Sequence, residues 1–169
     1  MRVLRPAGPG AVALMPTYAQ NTDVTSEKSR SEIERTLSRY GARQFMYGWD
    51  EARAIVGFAL DGRQVRFVLP MPDRKDRTFT HTPDRGLERT AAAQEKAYEQ
   101  AVRQRWRALS LVIKAKLEAV EAGIVTFDEE FAMHFLLPSG RTVGEHVLPQ
   151  IEEAYASGTV PALLPGGDR

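Results

Sequence analysis

The feature that most constrains the fold is the dipeptide Asp61-Gly62, set between two runs in which apolar and polar residues alternate. Asp-Gly suits the two central positions of a type I′ turn, where both residues take positive φ, and such a turn joins strands without opposing their natural twist. A two-residue loop also fixes which residues face each other. Phe58 falls opposite Val65, Val56 opposite Phe67 and Ala54 opposite Leu69, all on one face, while Gly57 with Arg66 and Ala59 with Gln64 occupy the other. Treating Asp50-Glu51 as a similar turn sets Phe45 opposite Val56 and Tyr47 opposite Ala54, so a third strand turns its apolar side to the same face. The expectation is a three-stranded antiparallel meander over residues 43–49, 52–60 and 63–69, stopped by Pro70 and Pro72.

A sheet with one apolar face needs a layer to cover it, and the remaining periodicity is helical. Residues 25–40 read as a helix with Thr25 as N-cap, Gly41 as its stop, and Ile33, Leu37 and Tyr40 inward. A much longer helix is expected from Thr90 to Ala122, because Tyr98, Val102, Trp106, Leu109, Ile113, Leu117 and Val120 recur every three or four residues. Gly123 ends it, and Ile124 stands where a Schellman cap makes its apolar contact. Leu111, Val112, Ala115 and Ala119 widen the stripe, which predicts packing on two sides, against the sheet and against the C-terminal segment. Two capping-box sequences follow, Thr126 to Glu129 and Thr142 to Glu145, each marking a helix start. The first of these helices would align Phe127, Phe131 and Phe135. The second would run to about Ser157 with Val147, Ile151 and Tyr155 inward and a kink or restart at Pro149. Residues 71–89 show no periodicity and contain Pro72, Pro83 and Gly86, a long loop of the kind that is either functional or disordered.

The fold class is therefore α+β: an αβββα unit, with helices on one face of the meander, followed by a helical pair. The expected organisation is a disordered tail over 1–16, the αβββα domain over 17–122, a helical appendage packed on the long helix over 123–158, and a tail over 159–169 with Val160, Leu163 and Leu164 tucked against the surface. Met15, just before the composition turns globular, is an alternative point for translation to begin. A chain of 169 residues buries enough surface to need no disulfide or structural metal, and with no cysteine it has no thiolate nucleophile and no sulfur-ligated zinc site. Pro6, Gly8, Pro9 and Gly10 interrupt any signal-peptide core, and no run approaches a membrane span, so the expected location is the cytoplasm and no membrane partner is expected.

The net charge of +1 hides a division. Residues 1–116 hold 21 basic and 13 acidic side chains, whereas 117–169 hold 2 basic and 9 acidic. Lys96, Arg103, Arg107 and Lys114 fall close to one line on the long helix, opposite its apolar stripe, and Arg74, Lys75 and Arg77 add charge in the long loop. These seven residues form a candidate phosphate-binding footprint for DNA or RNA, with Phe79 or Trp106 as candidate base-stacking groups. The alternative is a self-assembly or protein-interaction module in which the basic and acidic parts of neighbouring chains meet.

Signals of catalysis are sparse. His81, His134 and His146 are the three histidines, and Glu130 with His134, four apart, could share a metal with Glu145 or His146, the arrangement that a metal-dependent hydrolase would need. Asp128, Glu129 and Glu130 look like paired carboxylates, but they occupy the first turn of a helix, and capping explains them. Phosphate-loop, nucleophile-elbow and dinucleotide signatures are missing from the sequence, so no cofactor and no catalytic residue is assigned.

Three stretches carry a resemblance: Tyr18-Ala19-Gln20-Asn21-Thr22-Asp23-Val24, Arg103-Gln104-Arg105-Trp106-Arg107-Ala108-Leu109, and Leu137-Pro138-Ser139-Gly140-Arg141-Thr142-Val143-Gly144-Glu145. Over residues 17–165 the chain resembles small uncharacterised proteins encoded by phages and prophages of high-GC bacteria. That resemblance implies an accessory protein of a mobile element and supplies no activity. The αβββα order is also similar to that of double-stranded-RNA-binding domains. The chain departs from them in having Thr90-Ala91-Ala92-Ala93 where they carry lysines, and in its 71–89 loop, so no RNA-binding residue carries over.

Overall fold

The computed structural model describes residues 17–159, with side chains from Glu27 onward; the expected tail over 1–16, and all of the expected 159–169 tail but Thr159, lie outside the described residues. The element order is α1 (Thr17–Arg39), β1 (Arg43–Trp49), β2 (Arg53–Leu60), β3 (Arg63–Pro70), α2 (Arg77–Thr80), α3 (Ala91–Glu121), α4 (Phe127–Phe131), a 3₁₀ turn (Ala132–His134) and α5 (Val143–Ser157). It is an α+β architecture built on one antiparallel sheet of order β1-β2-β3.

The Asp61-Gly62 turn forms with φ of 49° and 74°. It sets the expected register of Ala54 with Leu69, Val56 with Phe67 and Phe58 with Val65. The second turn differs from expectation. Tyr47 pairs with Val56 and Trp49 with Ala54, two residues out from the predicted partners. The cause is local, because the Asp50 carboxylate accepts the backbone N–H groups of Ala52 (2.8 Å) and Arg53 (2.9 Å), which makes Glu51-Ala52 the turn. A shift of two keeps every side chain on its face, so Tyr47 still packs against the core. A bulge between Arg43 and Met46, with Gln44 at φ 58°, then shifts the register by one residue, so that Arg43 pairs with Ala59.

The inner face of the sheet, Ala54, Val56, Phe58, Leu60, Val65 and Phe67, is buried under α1 and α3. From α1 come Ile33 and Leu37, and from α3 the predicted row Tyr98, Val102, Trp106, Leu109, Ile113 and Leu117, all buried. The first helix begins at Thr17 rather than 25, since no glycine or proline interrupts 17–39, and Thr25 is an interior position of it. Thr90 caps α3 through Ala93, and the predicted Schellman bonds form, Ile124 N–H to Ala119 O and Gly123 N–H to Val120 O, both 3.0 Å. Ile124 itself is 76% exposed, so the expected apolar contact stays open. As expected, α3 packs on two sides, against the sheet and against the C-terminal segment through α4, but the widened stripe is corrected. The helix also meets α1, and Leu111 and Val112 face outward, 52% and 46% exposed.

Both capping boxes form, with Thr126 and Thr142 each exchanging hydrogen bonds with the glutamate three residues on. Phe127 and Phe131 enter the sheet's own core, with the Phe131 ring edge-on to Phe58 and Phe67. Phe135 lies beyond the helix rather than on it: the chain straightens there, bridges Val65 of β3, and donates Leu136 N–H to Gln64 O. That segment covers the β3 edge at Gln64 and Val65, where backbone groups would otherwise be unpaired. Helix α5 runs through Pro149 without a restart. A proline there cannot donate to the Glu145 carbonyl, and the Arg141 guanidinium donates to that oxygen instead. Tyr155, expected inward, is 88% exposed, because only the start of α5 is held against the rest of the chain.

Candidate nucleic-acid interface

The segment 71–89 is folded. Asp76 caps α2 by accepting from Thr78 N–H, His81 and Glu88 form a bridge, and Phe79 packs edge-on to Tyr98 of α3. Arg74 is bound inside this arrangement: its guanidinium donates to both oxygens of Glu95 (2.5 and 2.8 Å) and lies 4.2 Å from the Tyr98 ring centre. The pairing holds the Glu95 carboxyl below the ordinary glutamate range. Arg74 therefore arrives already partnered, while Lys75 and Arg77 are exposed. The two aromatic candidates are engaged elsewhere, with Trp106 buried in the core and Phe79 against Tyr98.

On α3 the four predicted cations Lys96, Arg103, Arg107 and Lys114 are all exposed. Lys114 makes a long i,i+4 contact with Glu118 (3.7 Å), and among the described residues Lys96, Arg103 and Arg107 make no ion pair. Eighteen residues of helix separate the ends of this row, about 27 Å. The row and the loop are on opposite flanks. Arg105 donates to the Pro70 carbonyl (2.7 Å), where the loop begins, and Arg103 and Arg107 each lie two residues from Arg105, about 200° around the helix. On the other flank α1 runs alongside, its end tied to α3 by the Tyr40 hydroxyl donating to Glu121 (2.6 Å).

The acidic C-terminal part meets the basic part within one molecule. Arg63 pairs with Asp128 (2.8 Å), Arg66 with Glu145 (2.7 Å) and Lys116 with Glu130 (2.8 Å). Each joins a cation of 1–116 to an acid of 117–169. The Asp128 carboxyl is held low by its bond from Arg63, and that of Glu145 chiefly by the Thr142 N–H and then by Arg66. These contacts were not readable from sequence, because the partners lie 14 to 79 residues apart and only the docking of α4 and of the 135–145 segment brings them together. The division of charge was the one signal pointing to them.

The same pairs occupy the residues considered for a metal. Glu130 binds Lys116, and Glu145 is divided between Thr142 and Arg66. His134 lies against Phe67, ring centres 4.0 Å apart, and burial, followed by the nearby Lys116 charge, lowers its pKa. Among the described residues no three or more metal-ligating side chains gather, and no helix is long and apolar enough to cross a membrane. Compared with protein-family models, curated proteins and solved structures, the chain finds no match.

Proposed function

We propose that the protein is a non-enzymatic accessory protein of a mobile element that contacts nucleic acid through the outward row of α3, Lys96, Arg103 and Arg107, with Lys114 at its end. One observation carries this reading. The acids of the C-terminal part take up Arg63, Arg66 and Lys116, Glu95 takes Arg74, and Lys96, Arg103 and Arg107 are left without ion pairs among the described residues. Exposed cations in a row along one helix, without ion pairs among the described residues, suit phosphates, whose binding gains from counterion release. With Trp106 and Phe79 packed internally, the contact is to the backbone rather than to stacked bases, and it carries little sequence preference. Fluorescence anisotropy with labelled duplex DNA and RNA tests this. Binding should be measurable at low salt and fall steeply as salt rises; no binding at low salt overturns it.

A second reading, self-association, is favoured by the outward Leu111 and Val112 in the middle of α3. Light scattering tests it. A species larger than the monomer that Leu111→Glu returns to monomer supports it, and a monomer at every concentration removes it.

A further inference from the structure

The folded 71–89 segment forms an open cleft of about 380 Å³, lined by Arg77, His81, Thr82, Gly86 and Arg89 among others and by none of the cations of the α3 row. Its donors are numerous and incompletely used. Arg77 has no ion pair among the described residues, and its guanidinium Nη2 lies 3.4 Å from where a Cβ on residue 86 would stand. Glycine is favoured there by its φ of +61°. Arg89 spends its Nε on the His81 carbonyl (3.0 Å), which fixes the guanidinium and leaves both terminal nitrogens free of partners among the described residues. The His81 ring engages the Thr80 hydroxyl through Nδ1 (2.9 Å), and Nε2 is unengaged among the described residues. Thr82 Oγ1 accepts from Leu87 N–H (3.1 Å) and keeps its own proton to donate.

The acids of the segment do not cancel these groups. Asp73 accepts from Lys75 N–H, and Asp76 from Thr78 N–H and its hydroxyl. Asp84 and Glu88 are exposed and form no ion pair among the described residues. Two guanidinium groups, an imidazole and a hydroxyl on one concave surface, with no carboxylate paired to them, match an anion with several oxygens pointing in different directions. We propose that this cleft binds a phosphoryl group carried on a phosphate monoester, either a free small molecule or the 5′ end of a nucleic-acid strand. The cleft is larger than one phosphoryl group needs, which leaves room for the ester's organic part. The site is separate from the α3 row and does not rest on it.

The test is a series of amide ¹H–¹⁵N spectra of the full chain, titrated with inorganic phosphate, a nucleoside 5′-monophosphate and the matching nucleoside. The two phosphate-bearing ligands should shift amides within 77–89 saturably, and the nucleoside should not. Arg77→Ala, which removes no hydrogen bond of the fold, should weaken binding about 10-fold or more, as expected when a charge-assisted hydrogen bond is removed. The Lys96→Ala, Arg103→Ala, Arg107→Ala triple variant should bind the monophosphate as the parent does, which separates this site from the α3 row. An oligonucleotide with a 5′-phosphate that binds more tightly than the mononucleotide assigns the group to a strand end, and the reverse order assigns it to a free monoester. Absence of saturable shifts with phosphate and monophosphate, or an Arg77→Ala protein that binds both as tightly as the parent, overturns the proposal.

Discussion

Replacing Phe131 with alanine tests whether α4 belongs to the main core. The residue is fully buried, and its ring lies 4.8 Å from that of Phe127, 6.2 Å from Phe67 and 6.5 Å from Phe58, with the Lys116 ammonium 5.7 Å away. Removing a buried phenylalanine costs about 3–5 kcal/mol in transfer and cavity terms. The position calls for the upper half of that range, since two edge-on ring pairs, worth about 0.5–1.5 kcal/mol each, disappear as well. The Lys116–Glu130 pair adds little, because both side chains retain roughly a quarter of their exposure. A loss of about 4 kcal/mol, divided by a urea slope of about 2 kcal/mol/M, lowers the midpoint by about 2 M. Urea titration followed by tryptophan fluorescence and by circular dichroism measures it. Both probes should move together, because Phe131 touches β2 and β3 directly. A loss under about 1 kcal/mol, or two separated transitions with the sheet unaffected, would refute the reasoning and make the C-terminal helices a detachable unit.

Three further outcomes follow from local geometry. Gly144→Ala would set its Cβ 2.9 Å from the Met133 carbonyl oxygen, a backbone atom with no side chain to yield, and should destabilise by about 1–3 kcal/mol in the same urea assay. Gly62→Ala, at φ 74°, should cost about 1–2 kcal/mol, with the hairpin register retained in cross-strand NOEs. His134 has its pKa lowered on folding by burial and Lys116, so the unfolded chain takes up the proton first. Its contribution is complete above the unfolded value near 6.5 and is lost as pH falls below it, and His134→Gln should flatten the pH dependence of unfolding across that window.

What the sequence revealed depended on how local the cause was. The β2–β3 register and both capping boxes follow from two to four adjacent residues, and they appear as expected. The β1–β2 register missed by two because an aspartate side chain, rather than a glycine, shaped the turn. The order in 71–89 was hidden because it comes from an Asx cap, one bridge and an Arg74–Glu95–Tyr98 stack, none of which has a hydrophobic period. Phe135 kept its partner Phe127 while leaving the helix, since both helical and extended backbones can carry that ring to the same place. For the candidate interface, exposure of the α3 row followed from helical spacing. Its separation from the loop needed the Arg105–Pro70 hydrogen bond, and the neutralisation of Arg63, Arg66 and Lys116 needed the tertiary fold.

The most direct test of the central claim is the salt dependence of nucleic-acid binding in the parent and in an Arg103→Ala, Arg107→Ala variant. Both side chains are exposed and unpaired among the described residues, so the fold should be unaffected. Each phosphate that the variant no longer neutralises should reduce the slope of log affinity against log salt by about 0.9 on duplex DNA, so the account predicts a slope shallower by about 1.8. Binding should weaken alike for unrelated sequences. An unchanged slope and affinity in the variant would contradict the account and remove the α3 row as the nucleic-acid surface.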